Sequence, residues 1–286
     1  MDYKKLLPKR KQKSHKGTFG KILNIAGSIN FQGAGYLSSI SALKIGAGYV
    51  MLACDENIVD SIASLSPDIT FLPLANSISE KLTLIEQNLH KFNVISMGCG
   101  LGSQKRTIYF IEKMISSLCK HNLPVILDAD ALNAISFSKI KTLPCNTVIT
   151  PHEAEMARLM NVNAEDVSNN RIFFAKEASK KFNCITVLKG HETIITSPIN
   201  EIIINKTGNS ALAKAGSGDV LTGIISGLAA QGCTPFEAAV LGTYIHGLCA
   251  EIAAKEMTEY SVLASNLLRF IPNAVTKILQ TSNFND

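Results

Sequence analysis

Charge is scarce in this chain. Asp, Glu, Lys and Arg make up 18% of its 286 residues while apolar residues reach 46%, against roughly 25% charged in an average soluble domain. That balance supplies a large core and excludes a disordered chain; 19 Gly and 9 Pro exclude a collagen-like one. The seven cysteines are odd in number and contain no Cys-x-x-Cys pair. They read as buried small hydrophobes of a reducing compartment, not as a disulfide framework. No apolar run near the N-terminus could serve as a signal-peptide core, and the greasy stretch from Val220 to Ala230 is cut by Gly223 and Gly227, short of a membrane span. A soluble cytoplasmic protein is expected. Neither G-x-G-x-x-G nor G-x-x-x-x-G-K-[ST] occurs, so the Rossmann and Walker fingerprints are absent.

What excess charge exists is gathered at one end. The net charge is +5, yet positions 1 to 21 alone carry eight Lys or Arg against Asp2, leaving 20 basic and 22 acidic residues elsewhere. A slightly acidic body argues against a broad nucleic-acid face. Residues 1–16 are read as a flexible, solvated basic arm and residues 17–286 as one domain.

In that body short apolar runs alternate with helical periods. Ile22 to Ala26, Tyr49 to Ala53, Phe92 to Met97, Pro124 to Leu127 and Thr147 to Thr150 are each followed by a stretch of helical spacing. Repeated βα units predict a parallel sheet covered by helices on both faces. Three later runs, Cys184 to Leu188, Thr193 to Thr196 and Glu201 to Ile204, are joined by gaps too short for crossover helices. They predict antiparallel strands at one edge. From Ser217 onward the pattern is helical, with an interruption expected at Pro272.

Ligands of such sheets bind beyond the carboxyl ends of the strands, so the residues after each strand carry the candidate chemistry. Gly27 to Gly35 and Gly98-Cys-Gly-Leu-Gly102 are bare backbone platforms ahead of helices; an ordinary βα turn explains the first equally well. Asp128-Ala-Asp130-Ala-Leu-Asn133 puts carboxylates at a strand end, where Asp130 suits a helix cap better than Asp128 does. In Thr150-Pro-His152-Glu-Ala-Glu155, ordinary capping accounts for Glu153 and leaves His152 open. Most specific is Lys214-Ala-Gly216-Ser-Gly218-Asp219 before an apolar helix. Its two glycines free backbone N–H groups to converge on an anion, and a carboxylate there suits a base taking a hydroxyl proton during phosphoryl transfer. The alternative for Asp219 is a helix N-cap.

Taken together, G-S-G-D, the N-x-x-G-N-x-A-L-A-K approach to it, D-A-D-A-L-N, T-P-H-x-x-E, L-K-G-x-x-T and the opening H-K-G-T-F-G-K resemble the ADP/ATP-dependent NAD(P)H-hydrate dehydratases of the ribokinase-like superfamily, from His15 to about Leu268. The resemblance implies a three-layer αβα sandwich. It also implies a repair activity in which the terminal phosphate of ADP or ATP passes to the ring hydroxyl of S-hydrated NADH or NADPH, and its elimination restores the dihydronicotinamide. On that basis Asp219 is the catalytic base, and Ala34 or Gly35, Gly100, His152 and Asp219 meet the hydrate. Lys189, Gly190, His191, Glu192, Thr193, Gly216, Ser217 and Gly218 hold the adenine nucleotide. Asp128, Asn133 and Asn209 are further candidates, and Glu155 is expected near Mg²⁺ through water. A homotetramer is implied. Many relatives carry an N-terminal epimerase domain, expected to be absent here and supplied separately. Cys99 departs from the Pro of G-P-G-L-G. Two other readings share the anion hole: a vitamin or thiazole-alcohol kinase, against which His152 speaks, and a nucleotide sensor, against which Asp219 speaks.

Overall fold

Neighbouring residues of the central strands face opposite sides of a sheet, and here both sides are apolar. Ile22, Leu52, Val94, Ile126 and Val148 join one buried cluster, while their chain neighbours Leu23, Ala53, Ile95, Leu127 and Ile149 join another. Each cluster needs its own layer of helices. The computed structural model, which describes residues 1–280 apart from Asn76, Lys139 and Lys141, supplies both.

In chain order the elements are α1 (Tyr3–Leu6), β1 (Lys21–Ile25), α2 (Gln32–Lys44), β2 (Tyr49–Asp55), α3 (Val59–Ala63), β3 (Thr70–Leu74), α4 (Ile78–Leu89), β4 (Val94–Met97) and α5 (Lys105–Leu118). Then follow β5 (Val125–Leu127), α6 (Asp130–Phe137), β6 (Thr147–Ile149), α7 (Glu153–Met160), α8 (Ala164–Asn169) and α9 (Arg171–Phe182). Last come β7 (Ile185–Leu188), β8 (Thr193–Thr196), β9 (Ile202–Asn205), α10 (Ser217–Ala230), α11 (Pro235–Ser261) and α12 (Ala264–Gln280). Among the described residues the nine strands run β3-β2-β1-β4-β5-β6-β7-β8-β9. All pairs are parallel except β7–β8 and β8–β9, the expected antiparallel edge. Residues of α2, α10, α11 and α12 fill one cluster and those of α4 to α7 and α9 the other, giving the αβα sandwich.

Four local expectations need correction. Sequence periodicity places a single helix between β2 and β4, whereas the chain inserts α3, β3 and α4 there. Strand β3 contains Pro73, which only an edge strand tolerates, and it pairs on one side only, with β2. Helix α12 continues through Pro272, because Leu267, Phe270, Ile271, Ala274 and Ile278 bury its apolar face and outweigh the broken turn. The basic arm is not free: Tyr3 stacks on Tyr244 with ring centroids 3.6 Å apart, and Leu6 and Leu7 pack against the core. Arg10 lies over the Phe19 ring and donates to the Gly46 carbonyl. Its lysines do face solvent. Charge counting is blind to these few apolar anchors. Cys119 and Cys145 are likewise exposed, while Cys54, Cys99, Cys184 and Cys249 are buried.

Gly223 and Gly227, which interrupt the apolar run in sequence, let α10 lie flat against α2. A Cβ on Gly223 would stand 1.9 Å from Ser41 Oγ and 2.1 Å from the Ser38 carbonyl oxygen. Alanine gains up to about 1 kcal/mol of helix propensity, but the backbone carbonyl cannot move aside as a side chain would. Overpacking costs about 1–3 kcal/mol, so Gly223→Ala is expected to lower the denaturation midpoint. A midpoint equal to or above wild type would show that the two helices separate freely.

Candidate active site

Strands β1, β4, β5 and β6 end side by side, and the residues after them are the Gly27 turn, the Gly98 turn, Asp128 and Thr150. Strand order reverses between β1 and β4, which opens the crevice. Four of the five candidate segments therefore converge here, and the fifth arrives with the N-terminus of α10.

Asp128 lies at the floor of the site. Only 1% of it is exposed, yet it accepts hydrogen bonds from Lys189 Nζ and Thr222 Oγ1, both at 2.8 Å. Burial alone would raise its pKa, but the Lys189 charge and hydrogen bonds from Lys189, Thr222 and Thr150 hold it below the usual carboxylate range. Lys189 is reciprocally held cationic. Desolvation opposes its charge, and Asp128 together with Glu155, whose Oε2 is 3.7 Å from Nζ, raises its pKa above the ordinary value. Between Asp128 and Asp130, Ala129 has φ 48°, a strained conformation for a residue with a Cβ. The twist turns Asp128 inward, while Asp130 Oδ2 accepts the Gly102 N–H at 2.7 Å and closes the Gly98–Gly102 turn.

Above this pair sits the start of α10. Gly216, with φ 91°, is the N-cap, and no side chain caps the helix. Its first N–H groups and dipole thus face the crevice. Asp219 is the third residue of the helix, so the cap alternative fails. Burial first, then the nearby Asp128 charge, push its pKa up to about 6, while a Cys99 hydrogen bond and Lys189 pull the other way. Ligand atoms of Cys99, Asp128 and Asp219 lie within 4.8 Å of one another. Cys99 is buried, and desolvation and the two carboxylates keep its thiol protonated well above the ordinary pKa. The turn lacking Pro keeps its shape through Gly98 at φ 129°, Gly100 at φ 64° and the Gly27 N–H donating to the Cys99 carbonyl at 2.8 Å.

A cavity of about 720 Å³ opens from Asp128 and Asp219. Its walls include all five residues Lys189 to Thr193, and Gly216 to Gly218, Asn209 and His152. Arg171 shapes the Lys189 turn by donating to the carbonyls of His191 and Leu188 while its Nε meets Glu153 at 3.1 Å. Asn209 accepts the Ala211 N–H at 3.2 Å, fixing the loop below.

His152 caps α7: its Nδ1 accepts from the N–H groups of Ala154 and Glu155 at 3.2 and 3.3 Å. That leaves Nε2 as the protonated nitrogen of the neutral ring. Burial and the Lys189 and Arg158 charges hold its pKa below the usual value against the pull of Glu155. Glu155 returns the cap, its Oε2 accepting the His152 N–H at 2.8 Å. Oε1 faces His152 Nε2 at 3.5 Å, which leaves lone pairs for a water.

Other candidates divide. Ala34 and Phe31 close on Gly100, whose Cβ, were there one, would lie 2.7 Å from both side chains. Gly35 instead packs against Leu52 under the Gly27 turn. Asn133 stands away from the cavity, bridging Asp130 at 3.4 Å and Arg158 at 3.1 Å. Sequence reading missed Thr222, although it sits one helical turn beyond Asp219. It also missed His246, a lone histidine in an apolar helix. His246 lines the cavity with a buried Nε2 that has no partner among the described residues, and burial lowers its pKa to about 4.

The family model described as NAD(P)H-hydrate dehydratase matches residues 22–273. The chain is 35% identical over 282 residues to the ADP-dependent (S)-NAD(P)H-hydrate dehydratase of Neisseria meningitidis, covering 94% of this chain and 90% of that one. It is also 35% identical over 274 residues to a bifunctional NAD(P)H-hydrate repair enzyme of Moorella thermoacetica, covering 93% of this chain and 51% of the relative. It thus spans about half the length of that bifunctional protein. Its fold matches the ADP/ATP-dependent NAD(P)H-hydrate dehydratase of Bacillus subtilis, crystallised with ATP and Mg²⁺, at a TM-score of 0.84 and 31% identity over 96% of both chains. With its fold and these strand-end residues in place, the chain belongs to the NAD(P)H-hydrate dehydratase family.

Proposed function

We propose that the protein dehydrates the S-hydrates of NADH and NADPH at the expense of ADP or ATP. The observation that carries this reading is Asp219, a half-buried carboxylate with its pKa pushed up to about 6 beside the uncapped N-terminus of α10. The names of the family and its relatives favour dehydration over release of a phosphorylated vitamin.

In this mechanism the nucleotide occupies the cavity beside Lys189 to Thr193, with its terminal phosphate at the Gly216–Gly218 backbone, where the helix dipole favours an anion. Lys189 adds a fixed cation below. Asp219 accepts the proton of the hydrate's ring hydroxyl as that oxygen attacks the phosphorus, and the nucleotide leaves one phosphate shorter. The ring carbon–oxygen bond then breaks, phosphate departs with the former hydroxyl oxygen, and the neighbouring ring carbon loses a proton to restore the double bond. Phosphate leaves far more readily than hydroxide. Ala34, Gly100 and neutral His152, donating through Nε2, position the ring. Mg²⁺ would lie among the nucleotide phosphates and neutralise their charge, with Glu155 holding one of its waters, as suits an ion that dehydrates reluctantly. A cytoplasmic homotetramer working alongside an epimerase completes the reading.

The test supplies the purified protein with Mg²⁺, S-hydrate and each nucleotide in turn, and follows dihydronicotinamide absorbance and phosphate. Both products are expected in equal amounts. A stable phosphorylated hydrate, or no nucleotide consumption, would overturn the assignment.

A further inference from the structure

Three side chains crowd together at the floor of the candidate active site. Cys99 Sγ and one carboxylate oxygen each from Asp128 and Asp219 lie within 4.8 Å of one another. Two carboxylates that close repel unless cations or donors satisfy them. Asp128 is well supplied, with Lys189 Nζ and Thr222 Oγ1 both donating to it at 2.8 Å. Asp219 is not: no N–H or O–H among the described residues donates to its side chain.

The donor left within reach is the Cys99 thiol. It is only 1% exposed, and burial keeps it protonated, so it has a proton to give. Its sulfur stands 3.9 Å from Asp128 Oδ2, an oxygen that already accepts from Thr222. A hydrogen bond to a charged carboxylate without other donors gains more than a further one to a carboxylate already satisfied. Once Asp219 ionises, the thiol proton therefore turns to it. The main chain here is held independently of the side chain, because the Gly27 N–H donates to the Cys99 carbonyl at 2.8 Å. Position 99 is also where the G-P-G-L-G pattern has Pro, a residue with no side-chain donor, and a thiol stands in its place.

We infer that Cys99 is a positioning residue for the dehydration, its thiol donating to Asp219 and holding the basic form of that carboxylate beside the phosphate site. The inference rests on the proposed function, in which Asp219 is the base. The other charges around Asp219 do not change as it titrates. Asp128 and Asp130 oppose its ionisation and Lys189 favours it, and the Asp128–Lys189 pair stays ionised through mildly acidic and neutral pH.

The experiment follows single-turnover dehydration of the S-hydrate by the full-length chain under saturating nucleotide, from about pH 5 to about pH 9, in wild type, Cys99→Ala and Cys99→Ser. In Cys99→Ala the acid inflection is expected to rise by about half a pH unit, the low end of hydrogen-bond contributions, as suits a weak thiol donor. The rate then falls about twofold near pH 6 and hardly at all near pH 8, with KM for the hydrate unchanged. Cys99→Ser supplies a hydroxyl donor and should restore the wild-type profile, whereas a purely structural loss would lower the rate equally at every pH. Carbon-13 NMR of the Asp219 carboxyl, assigned by its disappearance in Asp219→Asn, reads the same shift without substrate. Retained thermal stability and nucleotide affinity show that each variant folds; if Cys99→Ala does not, Cys99→Val, also without a donor, decides. An inflection unmoved in the folded variant lacking the donor, or a Ser variant that shifts as the Ala variant does, would overturn the inference. A wild type that dehydrates nothing would instead sink the proposed function, and the carboxyl titration would still decide whether Cys99 donates to Asp219.

Discussion

Asp219→Asn is expected to lower single-turnover dehydration by about 10²–10⁴-fold, the range of general-base contributions, while nucleotide affinity stays within a few-fold. The amide keeps the shape of the carboxylate but cannot take a proton. It also leaves the backbone of Gly216 to Gly218, the proposed phosphate site, and the Asp128–Lys189 pair intact, so the nucleotide should still bind. Calorimetry of nucleotide binding beside single-turnover rates separates the two roles. A variant retaining more than about a tenth of the rate would have lost under about 1.4 kcal/mol of transition-state stabilisation. Asp219 would then be a positioning group only.

The same carboxylate fixes a pH dependence. Because its folded pKa is about 6, Asp219 is ionised at neutral pH, and the rate should fall as pH drops through 6. The Asn variant's residual rate should lack that inflection. Stability moves the opposite way. A carboxyl whose pKa is raised by folding binds more protons in the native state than in the unfolded one between the unfolded value, about 4, and 6. Its ionisation at neutral pH therefore costs stability, and Asp219→Asn should melt higher than wild type at pH 7. A rate loss coupled to a stability gain is the signature of a group retained for chemistry.

Much of this was legible in sequence because it is local. Strand-to-helix alternation gave the sandwich, and the short gaps after β7 and β8 gave the antiparallel edge. Residues following the strands were legible as site candidates because parallel strands put all their carboxyl ends on one side. What escaped depends on distant partners. Lys189 meets Asp128 across 61 positions and Thr222 meets it across 94, so neither D-A-D nor L-K-G alone reveals that they are one unit. Tyr3 finds Tyr244 in the same way, which hid the docking of the arm. Local rules also overreached at Asn133. It shares a motif with Asp128, but five residues further on, along α6, it has left the crevice for Arg158. Strand β3 was missed because Pro73 reads as a breaker until an edge position is known.

The Asp128–Lys189 pair yields the largest expected loss of stability. Asp128→Asn should destabilise the fold by roughly 3–5 kcal/mol, the cost of breaking a buried ion pair and stranding its partner. Glu155, 3.7 Å from Lys189 Nζ, offsets part of that, so the lower end of the range is expected. The pH dependence follows from both shifts. Asp128 is depressed, so its contribution is present above the unfolded carboxylate range and is lost as pH falls through its lower folded pKa. Lys189 is raised, so its contribution is complete below about 10.4, the unfolded value, and is lost only as pH rises through the higher folded one. The penalty should therefore be flat across neutral pH. Adding Lys189→Met removes the stranded charge, and the double variant should recover most of the stability while remaining inactive, because the cation beneath the phosphate is gone. Chemical denaturation of the two single variants and the double one gives the coupling directly. A single-variant loss below about 1 kcal/mol would mean that Glu155 alone can hold the lysine. A double variant as unstable as Asp128→Asn would place the cost in the lost Thr222 hydrogen bond and the packing around it, rather than in an uncompensated charge.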